Sequence, residues 1–245
     1  MASAALATLW TGGLVFWLFT VLLSLGAVAE WANLGGATPH IKKMMMLAVS
    51  VPLAIMCPLA AGPNFFALGL IGAAAFFIVI VTRQPMLALG LVYGALPVLG
   101  LLLIREQTLG LIFCFWALGL VWLCDIGAYF AGRAIGGPKL APLISPNKTW
   151  AGLIGGVALA STFAIVMHLV YGLPWRLTLA TPVLAILAQA GDLFESWLKR
   201  RAGVKDSGTM LPGHGGLLDR LDGVVPVAPL AAILVVLPQI RGLFG

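Results

Sequence analysis

The chain has 245 residues, 61% of them hydrophobic and only 9% charged, with 14 Lys and Arg against 8 Asp and Glu. Soluble proteins carry roughly 25% charged residues, so this composition excludes a water-soluble globule, and it equally excludes disorder, which needs low hydrophobicity and high charge. A transmembrane barrel is excluded because its strands alternate polar and apolar residues; what remains is an all-α polytopic membrane protein with about eight spans, in a range of roughly seven to nine, at roughly 20 apolar residues each.

Long apolar runs bounded by charge or turn signals place the spans at 5–29, 44–61, 64–81, 86–104, 109–124, 152–171, 177–198 and 224–240. The first run lacks a basic leader region and exceeds a signal peptide's apolar core, so it reads as a true span, with two short helices as the alternative. If the 30–43 connection faces the cytoplasm, alternation puts Arg83 and the connections 125–150 and 199–223 there too. Eleven of the 14 basic residues then lie inside, and only Arg105, Arg176 and Arg241 lie outside, as the positive-inside rule expects. No basic run interleaved with aromatics suggests a nucleic-acid partner. Cys57, Cys114 and Cys124 lack metal-ligand spacing and read as packing residues. With no internal repeat, the chain reads as one transmembrane domain, 1–245, with helices 1–124 as scaffold and oligomer contacts and 125–245 as the catalytic half.

The chemistry concentrates in two stretches, DIGAYFAGRAIGGPKLAPLISPNKTW from Asp125 and DLFESWLKRRAGVKDSGTMLPGHGGLLDRLD from Asp192, which together hold six of the eight acidic residues. Asp192, Ser196 and Lys199 fall at i, i+4 and i+7 and share one helix face. Ionisable groups cost several kcal/mol inside a bilayer and mark interior sites. Asp219 and Asp222, three apart, share a face of a turn entering the last span. Three carboxylates brought together repel unless protonated or bridged by a hard cation, and carboxylates with open water and phosphate positions suit Mg²⁺. The glycines of PGHGG either let backbone amides approach a phosphate or simply make a tight turn. Lys148, Arg133, Lys199, Arg200, Lys205 and Arg220 add the positive charge that a nucleoside triphosphate or a phospholipid headgroup requires. Lys42, Lys43, Arg83, Lys139 and Arg201 read as topological charge only.

Other residues carry weaker signals. His40 and His168 are isolated. Glu30, beside Trp31 at a helix end, reads as interfacial or as reaching a polar headgroup. Pro52, Pro58, Pro97, Pro182, Pro226 and Pro229 are expected to kink or break helices. Gly152 and Gly156 form a GxxxG pair suited to close packing.

Residues 196–222, SWLKRRAGVKDSGTMLPGHGGLLDRLD, resemble the signature of phosphatidate cytidylyltransferases, also called CDP-diacylglycerol synthases, at Ser196, Lys199, Arg200, Lys205, Asp206, His214, Gly215, Gly216, Asp219, Arg220 and Asp222. Asp125-x-x-Ala128-Tyr129-x-x-Gly132-Arg133 and Ser145-Pro146-x-Lys148-Thr149-x-x-Gly152 resemble two further segments of that family. The first hundred residues match only in being hydrophobic spans. The resemblance implies transfer of CMP from CTP to phosphatidic acid, releasing pyrophosphate and leaving CDP-diacylglycerol in the bilayer. It implies an integral enzyme of a bacterial inner membrane with a cytoplasmic site, a homodimer, dependence on Mg²⁺ and a second, monovalent cation such as K⁺.

On that resemblance Asp192, Asp219 and Asp222 hold the metal, while Lys148, Lys199, Lys205 and Arg220 neutralise phosphate charge. His214 orients a phosphate or supports a ligand, and Ser196 donates a hydrogen bond. Asp125, Arg133, Ser145, Thr149, Arg200, Gly215 and Gly216 bind substrate, Asp125 alternatively the metal. The rival readings are an ion or small-solute transporter, a CDP-alcohol phosphatidyltransferase, whose DGxxAR…GxxxDxxxD pattern this chain lacks, and a structural membrane subunit.

Overall fold

A computed structural model describes residues 2–208 and 215–244, with side chains described for 3–208 and 215–238. In lipid every backbone amide must be satisfied within its own segment, and the apolar runs accordingly become helices. In chain order these are α1 (Ala2–Thr11), α2 (Gly13–Leu34), α3 (Pro39–Ile55), α4 (Phe65–Thr82), α5 (Pro85–Arg105), α6 (Gly110–Ile135), α7 (Trp150–Tyr171), α8 (Trp175–Arg201) and α9 (Val224–Phe244). The strands β1 (Lys139–Ala141) and β2 (Ser145–Thr149) lie between α6 and α7, and a 3-10 turn, Leu218–Arg220, precedes α9. Six helices, α2 and α4 to α8, are long and apolar enough to cross a membrane. Of the eight expected spans these account for six; α9 is apolar but shorter over its apolar part, Val224–Pro238, and α3 has 17 residues.

Three boundaries differ from the sequence reading. The first apolar run is not one span: α1 stops at Thr11, and Gly12 (φ 65°) and Gly13 (φ 49°) take left-handed backbone that only glycine adopts readily. The joint packs on Arg105, whose Nε donates to the Leu9 carbonyl at 3.1 Å. The second difference is α6, which continues past Cys124 to Ile135, so Asp125, Tyr129 and Arg133 stand on a helix rather than in a loop. Small residues make this possible. A Cβ on Gly127 would lie 2.7 Å from the Gly155 carbonyl, and one on Gly156 would lie 2.6 Å from the Cys124 carbonyl. The GxxxG pair of α7 is thus the seam along which α6 and α7 meet. Third, the loop expected before α7 is an antiparallel hairpin with Lys139 opposite Thr149 and Ala141 opposite Ser145.

The prolines bend expectations in the same direction. Pro52, Pro97, Pro182 and Pro229 sit inside helices without ending them, while Pro58 lies in the turn after α3. Gly100 of α5 lets the Ala228–Pro229 backbone of α9 approach, for a Cβ there would lie 2.7 Å from the Ala228 carbonyl. Trp31, Trp116 and Phe16 are among the largest fully buried side chains. Their polar atoms are not stranded: Trp116 Nε1 donates to Thr181 Oγ1 at 3.0 Å and Trp31 Nε1 to the Met86 carbonyl at 2.8 Å. The C-terminal ends of α2, α6 and α8 and the N-terminal ends of α5, α7 and α9 gather at one end of the bundle.

Candidate active site

At that end two clusters share the face of α8. In the first, the Lys148 ammonium, carried in by β2, pairs with Asp192 Oδ2 at 2.5 Å and donates to Gln189 Oε1 at 2.8 Å. Gln189 in turn donates from Nε2 to Asp125 Oδ1 at 3.1 Å. Ser196 Oγ donates to Asp192 Oδ1 at 3.4 Å, one helical turn away. The i, i+4 spacing therefore does bring Asp192 and Ser196 together.

The second cluster is built around Asp219. Lys199 Nζ lies 2.5 Å from Asp219 Oδ1 and 3.5 Å from Glu195 Oε1. Asp219 Oδ2 accepts the Ser207 amide (3.1 Å) and the Gly216 amide (2.8 Å), and the Ser207 hydroxyl oxygen stands 3.0 Å from it. Burial alone would raise the Asp219 carboxyl, but the Lys199 ammonium, the neighbouring Glu195 and the Ser207 and Gly216 amides together hold it well below the usual carboxylate range. The Gly216 amide is thus spent on a carboxylate rather than offered to a phosphate. Gly215, at φ 81°, makes the turn, and a Cβ on it would stand 3.3 Å from Asp219 Oδ2.

Asp222, just before α9, accepts the Gly223 amide at 2.7 Å. Its carboxyl is pushed up to about 7, first by burial and then by the negative charge of Asp192 and Asp125. These carboxylates face two cavities that meet at Asp125 and Asp192. One, of about 480 Å³, is lined by Asp125, Asp192, Asp219, Asp222 and Arg220 at one end, and by Phe16, Phe19, Leu23, Leu101, Leu118 and Ala5 beyond them. The other, of about 580 Å³, is lined by Tyr129, Arg133, Asn147, Lys148, Thr149 and Gln189.

The remaining expected residues fall in different places. Arg133 reaches the Tyr129 hydroxyl at 2.7 Å and lines the polar cavity. Thr149 caps α7 by accepting the Gly152 amide at 3.0 Å. Ser145 opens β2 and lines neither cavity. Arg200 donates to the Val204 carbonyl at 3.3 Å, and Lys205 and Asp206 are exposed on the turn after α8. His214 lies outside the described residues.

Whether these groups fit Mg²⁺ can be judged from their occupancy. Among the described residues no three His, Cys, Asp or Glu side chains are gathered closely enough to hold a metal ion. Mg²⁺ commonly takes only one or two carboxylates, with waters and phosphates completing its octahedron. Asp222 suits that arrangement, because its raised carboxyl marks negative potential in want of a cation; Asp192, whose Oδ2 pairs with Lys148 and whose Oδ1 accepts Ser196, joins it once Lys148 turns to a phosphate. Asp219 is more fully engaged, since Lys199 occupies one oxygen and the Ser207 and Gly216 amides the other.

The model of a family described as the cytidylyltransferase family matches residues 1–237. The chain belongs to the cytidylyltransferase family. It is 39% identical over 227 residues to a phosphatidate cytidylyltransferase of Brucella melitensis, covering 90% of this chain and 84% of that one. It is 37% identical over 246 residues to one of Staphylococcus epidermidis, covering 92% and 91%, and 49% identical over 130 residues to one of Staphylococcus haemolyticus, covering 52% and 50%. This cytidylyltransferase-family match covers the first hundred residues as well, where the sequence motifs were silent, and it leaves the transporter reading without support.

Two buried polar side chains at this end escaped the motifs. Glu30 is not interfacial: it is 1% exposed and its carboxylate accepts the Leu217 and Leu218 amides, both at 2.9 Å. Gln189, 4% exposed, bridges Lys148 and Asp125. A lone Gln among apolar residues on the charged face of α8, one turn before Asp192, was the available signal for Gln189.

Proposed function

We propose that this cytidylyltransferase joins CTP to phosphatidate at the boundary between its two cavities. The observation that carries the reading is their meeting at Asp125 and Asp192: a cavity that runs from Arg220 and cation-holding aspartates into apolar side chains suits a lipid phosphate with its acyl chains. The neighbouring cavity, with Arg133, Lys148 and Asn147, suits a nucleoside triphosphate. An oxygen of the phosphatidate monoester attacks the α-phosphorus of CTP, the bond to the β-phosphate breaks, and pyrophosphate leaves. The attacking oxygen is already anionic, so no strong general base is needed, and catalysis rests on positioning and charge stabilisation.

In this reading Lys148 and Arg133 hold the triphosphate, while Lys199 and Arg220 meet the charge on the lipid phosphate and the leaving group. Lys205 and Arg200, exposed beside them, attract the anionic nucleotide. Asp192 and Asp222 are the residues that would hold Mg²⁺, which supplies charge neutralisation on the triphosphate. Asp219 becomes available to a metal only when Lys199 moves from it to a substrate phosphate. Dependence on Mg²⁺, a supporting monovalent cation, a homodimeric state and a cytoplasmic-facing site in a bacterial inner membrane belong to the same proposal. The positive charge gathered at the active-site end supports the last of these.

The test is turnover by purified protein in detergent with CTP, phosphatidate and Mg²⁺. CDP-diacylglycerol should form with one pyrophosphate per lipid consumed, and pyrophosphate release should require phosphatidate. Release at the same rate without the lipid would sink the assignment.

A further inference from the structure

We propose that Glu30 is a positioning residue of this site, which holds from α2 the turn that carries Asp219 and thereby places the Lys199 ammonium. The activity readout rests on the proposed function; the geometry does not. A buried carboxylate is costly unless its oxygens are hydrogen-bonded, and the groups that satisfy Glu30 lie far along the chain, at Ser207, Leu217 and Leu218. Oε1 accepts the Leu217 amide and Oε2 the Leu218 amide, both at 2.9 Å, and the Ser207 hydroxyl oxygen stands 2.9 Å from Oε2. Gly208 and Gly216 leave room for the carboxylate: a Cβ on Gly208 would lie 2.5 Å from Glu30 Oε1, and one on Gly216 would lie 2.7 Å from Oε2.

Ser207 makes the connection. Its hydroxyl has one proton and stands between Glu30 Oε2 at 2.9 Å and Asp219 Oδ2 at 3.0 Å, and Asp219 Oδ1 holds Lys199. An unbroken series of contacts thus leads from a helix with no signature residue to the ammonium that meets phosphate. Packing alone would be served by an apolar side chain. Two oxygens that each accept a backbone amide require a carboxylate, because the nearly isosteric amide of Gln offers only one acceptor atom.

The experiment compares wild type, Glu30→Gln and Ser207→Ala by amide hydrogen exchange and by steady-state kinetics in detergent. In Glu30→Gln the Leu217 and Leu218 amides should exchange at least roughly tenfold faster while α5 and α6 keep their protection. The kcat should fall at least about tenfold with KM for both substrates within about twofold. Ser207→Ala keeps both backbone bonds to Glu30, so Leu217 and Leu218 should stay protected while kcat drops roughly fivefold. The double variant should be no slower than Glu30→Gln, as expected of residues acting in series. Unchanged exchange at Leu217 and Leu218 in Glu30→Gln overturns the proposal, and so does multiplication of the two kinetic effects. If Glu30→Gln does not fold, Ser207→Ala decides alone: a kcat within twofold of wild type overturns it. Wild type that exchanges as expected but makes no CDP-diacylglycerol would refute the proposed function and leave the placement of the turn standing.

Discussion

The two ends of the bundle spend their polar side chains differently. At the far end three basic side chains are tied to backbone carbonyls: Arg105 to Leu9, Arg176 to Leu234, and His168 to Leu173. At the active-site end side chains bind one another, as Lys148 with Asp192 and Lys199 with Asp219. A charge tied to a carbonyl in the same fold closes a helix end. A charge tied to an opposite charge can be exchanged for a substrate's, because a phosphate can replace a carboxylate at an ammonium without leaving either uncompensated. The comparison predicts that substitutions at one end change chemistry and those at the other change little.

The largest effect is expected for Lys199→Ala. It removes the ammonium that meets phosphate and leaves Asp219 and Glu195 facing each other without their shared cation. Loss of one preorganised charge-stabilising donor costs about 100-fold or more in rate, so kcat/KM should fall by that order. A loss under twofold would place Lys199 with the far-end residues.

Asp222→Asn comes next, with roughly tenfold loss and a distinctive pH dependence. Without metal the Asp222 carboxyl titrates near 7, above its unfolded value of about 4. Between those values the folded state binds more protons than the unfolded state, so folding stability falls as pH rises through the window. A cation that needs the carboxylate competes with that proton, so apparent Mg²⁺ affinity should climb between about pH 6 and 8 and then level. The Asn variant should bind more weakly and lose the slope. A wild type whose affinity is flat over that interval would break the link between Asp222 and the metal.

Gln189→Leu should cost less, roughly fivefold. It leaves Lys148 paired with Asp192 but removes the amide that aligns both Lys148 and Asp125. Kinetics with CTP varied at saturating phosphatidate checks this: the change should lie in KM for CTP, since Gln189 lines the polar cavity and not the apolar one.

How much of this was legible depended on distance along the chain. Long apolar runs fix spans because lipid permits helix and nothing looser, and the signature residues lie close together, so their gathering followed from helical spacing. The continuation of α6 through Asp125–Ile135 was hidden because its residues look like a polar connection. Only the facing Gly152, Gly155 and Gly156 of α7 show why it stays helical. Glu30 was invisible for a stronger reason: its partners are 187 and 188 residues away, and one acidic residue beside a Trp looks the same at an interface as inside a turn. Asp219 was legible as a site residue but not as the anchor of Lys199, because spacing shows which groups share a region and not which atoms they already occupy.

The smallest effect tests the comparison from the other side. Arg105 holds α1 at the far end through the Leu9 carbonyl, and Ala5 of α1 lines the apolar reach of the cavity that ends in the aspartates. Arg105→Ala should therefore leave kcat and KM for CTP within about twofold, because nothing it touches reaches the phosphates. It should nevertheless raise KM for phosphatidate by roughly two- to threefold, a loss of about 0.5 kcal/mol consistent with one loosened wall. Equal increases in KM for both substrates would show that the far end communicates with the charged end. A change confined to the lipid would show that the two ends are joined only by the cavity running between them.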